Sequence, residues 1–318
     1  MYAAVLHKLG ESPRYEEFSN PAIQDGNVLV QVRAAAIKPV DKQMAQGSHY
    51  ASPRELPVIC GTDGIGVLPD GRRVFFGARA PYGAMAEGTA VKPVFCFPVP
   101  DSLNDAAAAA LPNPGISAWL SIAHRANLKA GENVLVLGAT GVTGKLAVKI
   151  SKLLGAAKVV AAGRNQLALA ELLRQGADAT IRLDLPDEEL REAFIREAGS
   201  SGFQVVVDYV WGRPAEIFLA AITRHEIAAI TAETRFIQVG EGAGATISLP
   251  AAVLRSTAIS IMGTAGIPPR EVLLEAMQQV LAHGAKGTLL VDVESVPLAE
   301  VENAWRRNDP GKRIVLIP

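Results

Sequence analysis

The feature that most constrains this chain is a glycine-rich turn set between an apolar run and an amphipathic one. Residues 134–137 read Val-Leu-Val-Leu, the texture of a buried strand, and residues 144–154 place apolar side chains at helical spacing. Between them lies Gly138-Ala139-Thr140-Gly141-Val142-Thr143-Gly144. Glycines in such a turn let the backbone come close to a pyrophosphate, and the helix that follows offers unpaired N–H groups and the positive end of its dipole. Gly144 also lets the helix pack tightly on the strand. The spacing is G-x-x-G-x-x-G instead of G-x-G-x-x-G, so the flanking strand and helix carry the argument.

The surrounding pattern predicts an α/β fold. Strand-like runs at 159–162, 205–209, 236–239 and 258–262 alternate with helical ones, including 166–175, and parallel strands joined by right-handed crossovers give a doubly wound sheet. Before residue 105 the chain reads as short apolar runs, at 28–32, 65–68 and 73–76, split by Gly, Pro and Asp. That part is β-rich. An alanine run at 105–111 predicts a helix that Pro112 and Pro114 interrupt and that resumes over 116–125. A helix over 270–283 and a strand over 313–317 close the chain. A length of 318 residues suits two domains, and 49% hydrophobic residues with only 5% aromatics call for a core of Ala, Val, Ile and Leu.

Charge excludes several partners. The formal net charge is −1, and Lys and Arg are dispersed without a basic stripe, which argues against a nucleic-acid surface. No uninterrupted apolar segment reaches membrane-spanning length, and the first ten residues open like a strand, not a signal peptide. The expected location is the cytoplasm. Cys60 and Cys96 are the only cysteines, as suits a reducing compartment.

Where the strand after the glycine turn ends, NAD-preferring sites carry an Asp or Glu for the ribose 2′-hydroxyl. This chain instead has Gly163-Arg164-Asn165. Gly163 leaves room there, and Arg164 can form charge-assisted bonds to a 2′-phosphate, which points to NADPH. An exposed Arg that simply begins a helix is the competing reading.

Several segments in order then resemble the quinone oxidoreductase branch of the medium-chain dehydrogenase/reductase superfamily. They are Lys38-Pro-Val-Asp41, Gly47 to Tyr50, Pro57 to Val67, Tyr82-Gly-Ala-Met-Ala-Glu87, Leu111-Pro-Asn113, the glycine turn, Val206-Val-Asp208-Tyr-Val-Trp211-Gly212 and Arg235-Phe-Ile-Gln-Val-Gly240. The resemblance implies a GroES-like β-barrel catalytic domain split across residues 1–115 and 266–318. A Rossmann domain is inserted at 116–265, with cofactor and substrate meeting in the cleft between the two. It further implies that Asn113, Val210, Trp211 and Gly240 join the glycine turn, Gly163, Arg164 and Asn165 in holding NADPH, and that the protein is a homodimer joined through the strand at 258–262.

Departures from the family pattern bear on chemistry. Zinc-dependent relatives carry a Cys near Lys38, a His beside Asp63 and a four-cysteine lobe; here Lys38 and Thr62 stand in those places and the lobe is missing. His7, His49, His124, His225 and His283 are too scattered for a zinc site. Quinone oxidoreductases often have Asn in place of Lys38, and Gly-Asp-Arg-Val in place of Gly71-Arg72-Arg73-Val74. Lys38 can therefore be a solvated side chain, a partner of Asp41 or a substrate donor, and Tyr50 is either the leading oxyanion donor or a packing residue. The expected reaction is zinc-independent hydride transfer from NADPH to a quinone or similar activated enone. Reduction of alkenals or enoyl thioesters is the alternative, as is a redox-sensing or RNA-associated NADPH-binding protein with little catalysis. The loops 44–54 and 264–269 carry no readable specificity code.

Overall fold

Turn-punctuated apolar runs build the first part of the chain as strands. They are β1 (Tyr2–Leu6), β2 (Arg14–Glu17), β3 (Val28–Ala36), β4 (Val58–Ile59), β5 (Asp63–Val67), β6 (Arg73–Gly77), β7 (Gly88–Val91) and β8 (Cys96–Pro98). Helix α1 (Pro39–Gln46) follows β3, and α2 (Asp105–Ala110) follows β8. The computed structural model describes residues 1–22, 26–223, 233–264, 266, 268–309 and 311–318. His225 and parts of the loop 264–269 lie outside the described residues.

Two units emerge, Met1–Asn113 with Gln279–Pro318, and Pro114–Gln278. The expected break at Pro112 and Pro114 takes a different form, because α3 (Pro112–Trp119) contains both prolines. They occupy its first turn, where a helix has no use for the missing N–H, so they start a helix here instead of breaking one. Residues 120–125 continue as a π-helical stretch.

The second unit holds β9 (Asn133–Leu137), α4 (Val142–Leu153), β10 (Lys158–Gly163), α5 (Gln166–Arg174), β11 (Ala179–Arg182) and α6 (Asp187–Ala198). It continues with β12 (Val205–Asp208), α7 (Gly212–Ile222), β13 (Thr234–Gln238), α8 (Ala251–Ser256) and β14 (Ile259–Gly263). The strands pair in the order β11-β10-β9-β12-β13-β14 and every pair is parallel. Numbered from β9 this is 3-2-1-4-5-6, the dinucleotide-fold order, and its direction reverses between β9 and β12. The residues that make these strands are almost wholly apolar, as a sheet covered on both faces requires. Leu135, Val160, Val206 and Phe236 meet Phe194 and Phe218 in its core.

Helix α9 (Arg270–Ala285) crosses the second division point, and β15 (Asp292–Pro297), α10 (Val301–Arg306) and β16 (Lys312–Ile317) complete the first unit. Its main sheet runs β15-β16-β3-β5-β6-β8 with β7 also on β3, and a smaller one runs β2-β1-β4. Burial alternates along β3, which sets Val30 and Val32 into the core with Val74, Phe76, Met85 and Leu316. No described helix is long and apolar enough to cross a membrane.

Candidate functional site

In the second unit, the turn after β9 is shaped by contacts that only glycine permits. Gly138 has φ +83°, and a Cβ there would lie 2.8 Å from Val210 Cγ1. A Cβ on Gly144 would lie 2.6 Å from Ala139 Cα, so α4 sits against the turn itself. A Cβ on Gly163 would lie 2.5 Å from the Thr140 methyl, which ties the end of β10 to the same turn. Ala139 N–H donates to the Ala162 carbonyl at 2.8 Å, and Gly141 N–H donates to the Gly138 carbonyl at 3.2 Å. Gly141 is the N-cap of α4, so the first-turn amides of Val142, Thr143 and Gly144 face out of the helix end without intrahelical acceptors. This cradle fits a pyrophosphate.

Arg164 and Asn165 lie just past β10, and both are exposed. Asn165 is occupied locally, since its side chain accepts the Ala168 N–H at 3.0 Å and caps α5. Arg164 leads that cap and stands near Asp184, whose carboxyl the Arg182 hydrogen bond, and to a lesser degree Arg164, holds below the usual range. Asp184 itself is paired with Arg182 at 2.6 Å. The turns after β12 and β13 complete this end of the sheet, where Val210, Trp211 and Gly240 reside. A Cβ on Gly240 would lie 2.7 Å from the Tyr209 carbonyl oxygen. The structure thus gathers the predicted residues of this unit at the carboxyl ends of β9, β10, β12 and β13, beside the point where the strand order reverses.

In the first unit Lys38 is not solvated. It is 1% exposed, and its ammonium lies 3.1 Å from Asp41 Oδ2, 3.1 Å from Asp63 Oδ1 and 3.1 Å from the Ala36 carbonyl oxygen to which it donates. The contact with Asp63 Oδ1 is an ion pair. Asp41 also accepts the Lys38 and Thr62 N–H groups at 2.9 and 3.1 Å. Thr62 Oγ1 lies 3.1 Å from Asp41 Oδ1 and 3.1 Å from Asp63 Oδ2, and its single proton serves one of them at a time. Asn113 donates from its amide to Asp63 Oδ2 at 3.4 Å.

Burial alone would lower the Lys38 pKa, but Asp41 and Asp63 outweigh it and the net shift is upward. Burial pushes the Asp63 carboxyl up, opposed by Lys38 and reinforced by Asp41. Arg313, on β16, is pulled down by burial and raised by the same two carboxylates. The cluster is therefore a nearly balanced set of buried charges; of the three roles open to Lys38 in the sequence, partnership with Asp41 is the one the structure shows, with Asp63 added to it.

Tyr50 stands apart from this cluster. It is 96% exposed and its ring packs on His49 with centroids 4.1 Å apart. Among the described residues, no three or more His, Cys, Asp or Glu side chains are grouped to hold a metal ion. Cys60 and Cys96 are free thiols, and burial pushes both up, Cys60 strongly.

No protein-family model matches the chain. It is 29% identical over 272 residues to quinone oxidoreductase-like protein 2 of Bos taurus, covering 82% of this chain and 74% of that one. It is 33% identical over 193 residues to the chloroplastic NADPH-dependent alkenal/one oxidoreductase of Arabidopsis thaliana, covering 53% and 49%. The solved quinone oxidoreductase of Thermus thermophilus, also determined with NADPH, superposes with a TM-score of 0.81 over the full length of both chains at 26% identity. Fold, glycine turn and relatives are together consistent with the medium-chain dehydrogenase/reductase superfamily. Within that superfamily the similarity is to quinone oxidoreductases.

Proposed function

We propose that this chain is an NADPH-dependent, zinc-independent oxidoreductase that transfers hydride to a quinone or a similar activated enone. The observation that carries the reading is the glycine cradle at the head of α4, with Gly163 and Arg164 standing where an acidic ribose ligand would favour NAD. NADPH, when bound, supplies the hydride from nicotinamide C4. The first-turn amides of α4 hold its pyrophosphate, Arg164 its 2′-phosphate, and Val210, Trp211 and Gly240 the remainder. Residues 1–115 and 266–318 serve as the catalytic domain and 116–265 as the cofactor domain.

The Lys38 ammonium is committed to Asp41, Asp63 and Ala36, so we assign it to holding charge and assign Tyr50 as the donor to the substrate oxygen. A quinone takes hydride without a strong Lewis acid, and the oxyanion left behind takes a proton from water. Zinc independence is supported by that ammonium, a fixed positive charge within 3.1 Å of both carboxylates, which would repel a divalent cation. A cytoplasmic location agrees with the two free thiols.

Reduction of 2-alkenals is the second reading, favoured by the named activity of the Arabidopsis relative. Steady-state NADPH oxidation with a panel of quinones, 2-alkenals and enoyl thioesters separates the two. Turnover with quinones is expected. Tight NADPH binding without turnover on any member would replace the enzyme with a binding protein, and failure to bind NADPH would end the whole reading. We also propose a homodimer, because β14 pairs only with β13 among the described residues and leaves half-exposed Ile259 and Ile261 at an open edge. A monomer in sedimentation at micromolar concentration would exclude it.

A further inference from the structure

The turn after β12 is held in a conformation that its own residues disfavour. Trp211 has φ +54° and ψ −156°, a region that glycine visits freely and other residues occupy under strain. Its ring is anchored edge-on against Phe236, with centroids 6.0 Å apart. Gly212 follows at φ +57°, so close to the neighbouring loop that a Cβ would lie 2.7 Å from the Ala243 carbonyl oxygen. Ala243 N–H in turn donates to the Val210 carbonyl at 2.6 Å.

One carboxylate organises this turn. Asp208, the last residue of β12, is fully buried, and its Oδ1 accepts the N–H groups of Val210 and Trp211 at 2.8 and 2.9 Å. Its backbone carbonyl accepts those of Val239 and Gly240 at 2.8 and 3.1 Å. Oδ2 is equally buried and has no hydrogen-bond partner among the described residues. A buried carboxylate oxygen left unanswered calls for an explanation, since folds rarely keep one. The explanation lies in what the turn touches: Val210 packs directly on Gly138, so the turn after β12 forms a wall of the glycine cradle where the strand order reverses.

We propose that Asp208 is a positioning residue for the dinucleotide, its carboxylate clamping the strained Val210 and Trp211 backbone so that Val210 stays seated against Gly138. The proposal rests on the NADPH reading above and adds to it a residue that acts through another. Burial pushes the Asp208 carboxyl up to about 6, opposed by the two backbone bonds. Among the described residues, no charged side chain is among the causes of that shift. Tyr209 beside it has its hydroxyl pushed further up by burial and stays protonated, while Glu241 and Arg213 on the adjoining loop and helix are exposed. Below this pH the carboxyl is neutral, its two bonds lose their charge assistance, and the clamp slackens.

The test is calorimetric NADP⁺ affinity from pH 5 to 8 for the unmodified protein and Asp208→Asn. At pH 7.5 the variant should bind about tenfold more weakly, the scale of charge assistance lost from two hydrogen bonds. At pH 5 the two should be alike, with their ratio following one ionisation near pH 6. The ligand's 2′-phosphate titrates near the same pH but does so with both proteins, so it cancels in the ratio. Hydrogen exchange without ligand gives a second readout. Protection of the Val210 and Trp211 amides should fall selectively at pH 5 and in Asp208→Asn, whereas a general loss of stability would lower protection throughout the sheet.

If Asp208→Asn does not fold, Trp211→Gly takes its place, because glycine holds the same backbone angles without strain and should flatten the pH dependence of binding. Equal affinity of the unmodified protein and the variant at every pH, or local protection that ignores pH, would overturn the clamp. Absence of NADP⁺ binding by the unmodified protein would overturn the proposed function instead, and the exchange result would then decide the clamp by itself.

Discussion

Replacing Lys38 with Met keeps most of the side-chain volume and removes the charge between two buried carboxylates. At 3.1 Å each ion pair has a Coulomb energy of about 5 kcal/mol at an effective dielectric of about 20, much of it offset by the desolvation of the ammonium. The net loss on deleting one member of such a cluster is about 3–5 kcal/mol, because the partners stay buried and uncompensated. For a protein unit of this size that corresponds to a fall in Tm of roughly 6–20 °C.

The pH dependence gives this expectation its sign. Burial already holds the Asp63 pKa above its usual value, and loss of Lys38 removes an opposing effect, so in the variant it rises further. An acid whose folded pKa is raised stabilises the fold when protonated and loses that contribution as pH rises through the folded value. The deficit of Lys38→Met should therefore be largest at pH 8 and shrink towards pH 5, and adding Asp63→Asn should recover much of it. Thermal melts of the three proteins at both pH values are the assay. A variant that melts within about 2 °C of the unmodified protein at pH 8, or a deficit independent of pH, would refute the reasoning, since either means that the cluster is hydrated or already neutral.

Arg164→Gln should weaken NADPH binding by about 1–3 kcal/mol and leave NADH binding nearly unchanged, as measured by fluorescence titration; equal losses for both cofactors would remove Arg164 from the 2′-phosphate site. Tyr50→Phe should slow quinone turnover by no more than about tenfold, because a hydroxyl 96% exposed can be replaced by water, and a hundredfold loss would mean that the ring becomes enclosed during turnover. Treatment with a chelator should leave activity intact, and a loss restored by added zinc would contradict the assignment of Lys38. With Asp208 titrating at about 6 against an ordinary value of 3.8, its neutral form favours folding and that contribution disappears as pH rises through 6. Denaturant unfolding should therefore show up to about 3 kcal/mol less stability at pH 7 than at pH 4 from this group, a component missing from Asp208→Asn.

The parallel sheet was legible because its information is local. A buried strand, a glycine turn and a helix N-terminus lie within one short stretch, and the chemistry of 138–144 follows from the absence of side chains at three positions. The prolines were misread for a related reason: Pro112 and Pro114 break a helix interior but suit a first turn, and which of these applies depends on where α2 stops, which an alanine run does not mark. Helix α6 carries a short helical signal in Leu190, Ala193 and Phe194 that its many charged residues outnumber, whereas the nearly continuous apolar run of α7 and the mixed run of β15 favour neither period.

The two buried charges were harder to read, and they share a cause. The partners of Lys38 come from the first turn of α1 and from the start of β5, and Asp63 becomes a partner only when β3 and β5 pair. In sequence it is simply an Asp after a Thr. The significance of Asp208 likewise depends on an orphan oxygen and on a Trp at positive φ, neither of which has a sequence signature. Hydrophobic patterning predicts where a core lies, and a carboxylate inside that core violates the pattern. Sites where the local rules fail are therefore where function is best sought. Asp208 shows why such a violation persists: its ionised form lowers global stability while strengthening the two hydrogen bonds that hold the cradle's wall, so at neutral pH the fold gives up stability to fix a surface that its ligand must meet.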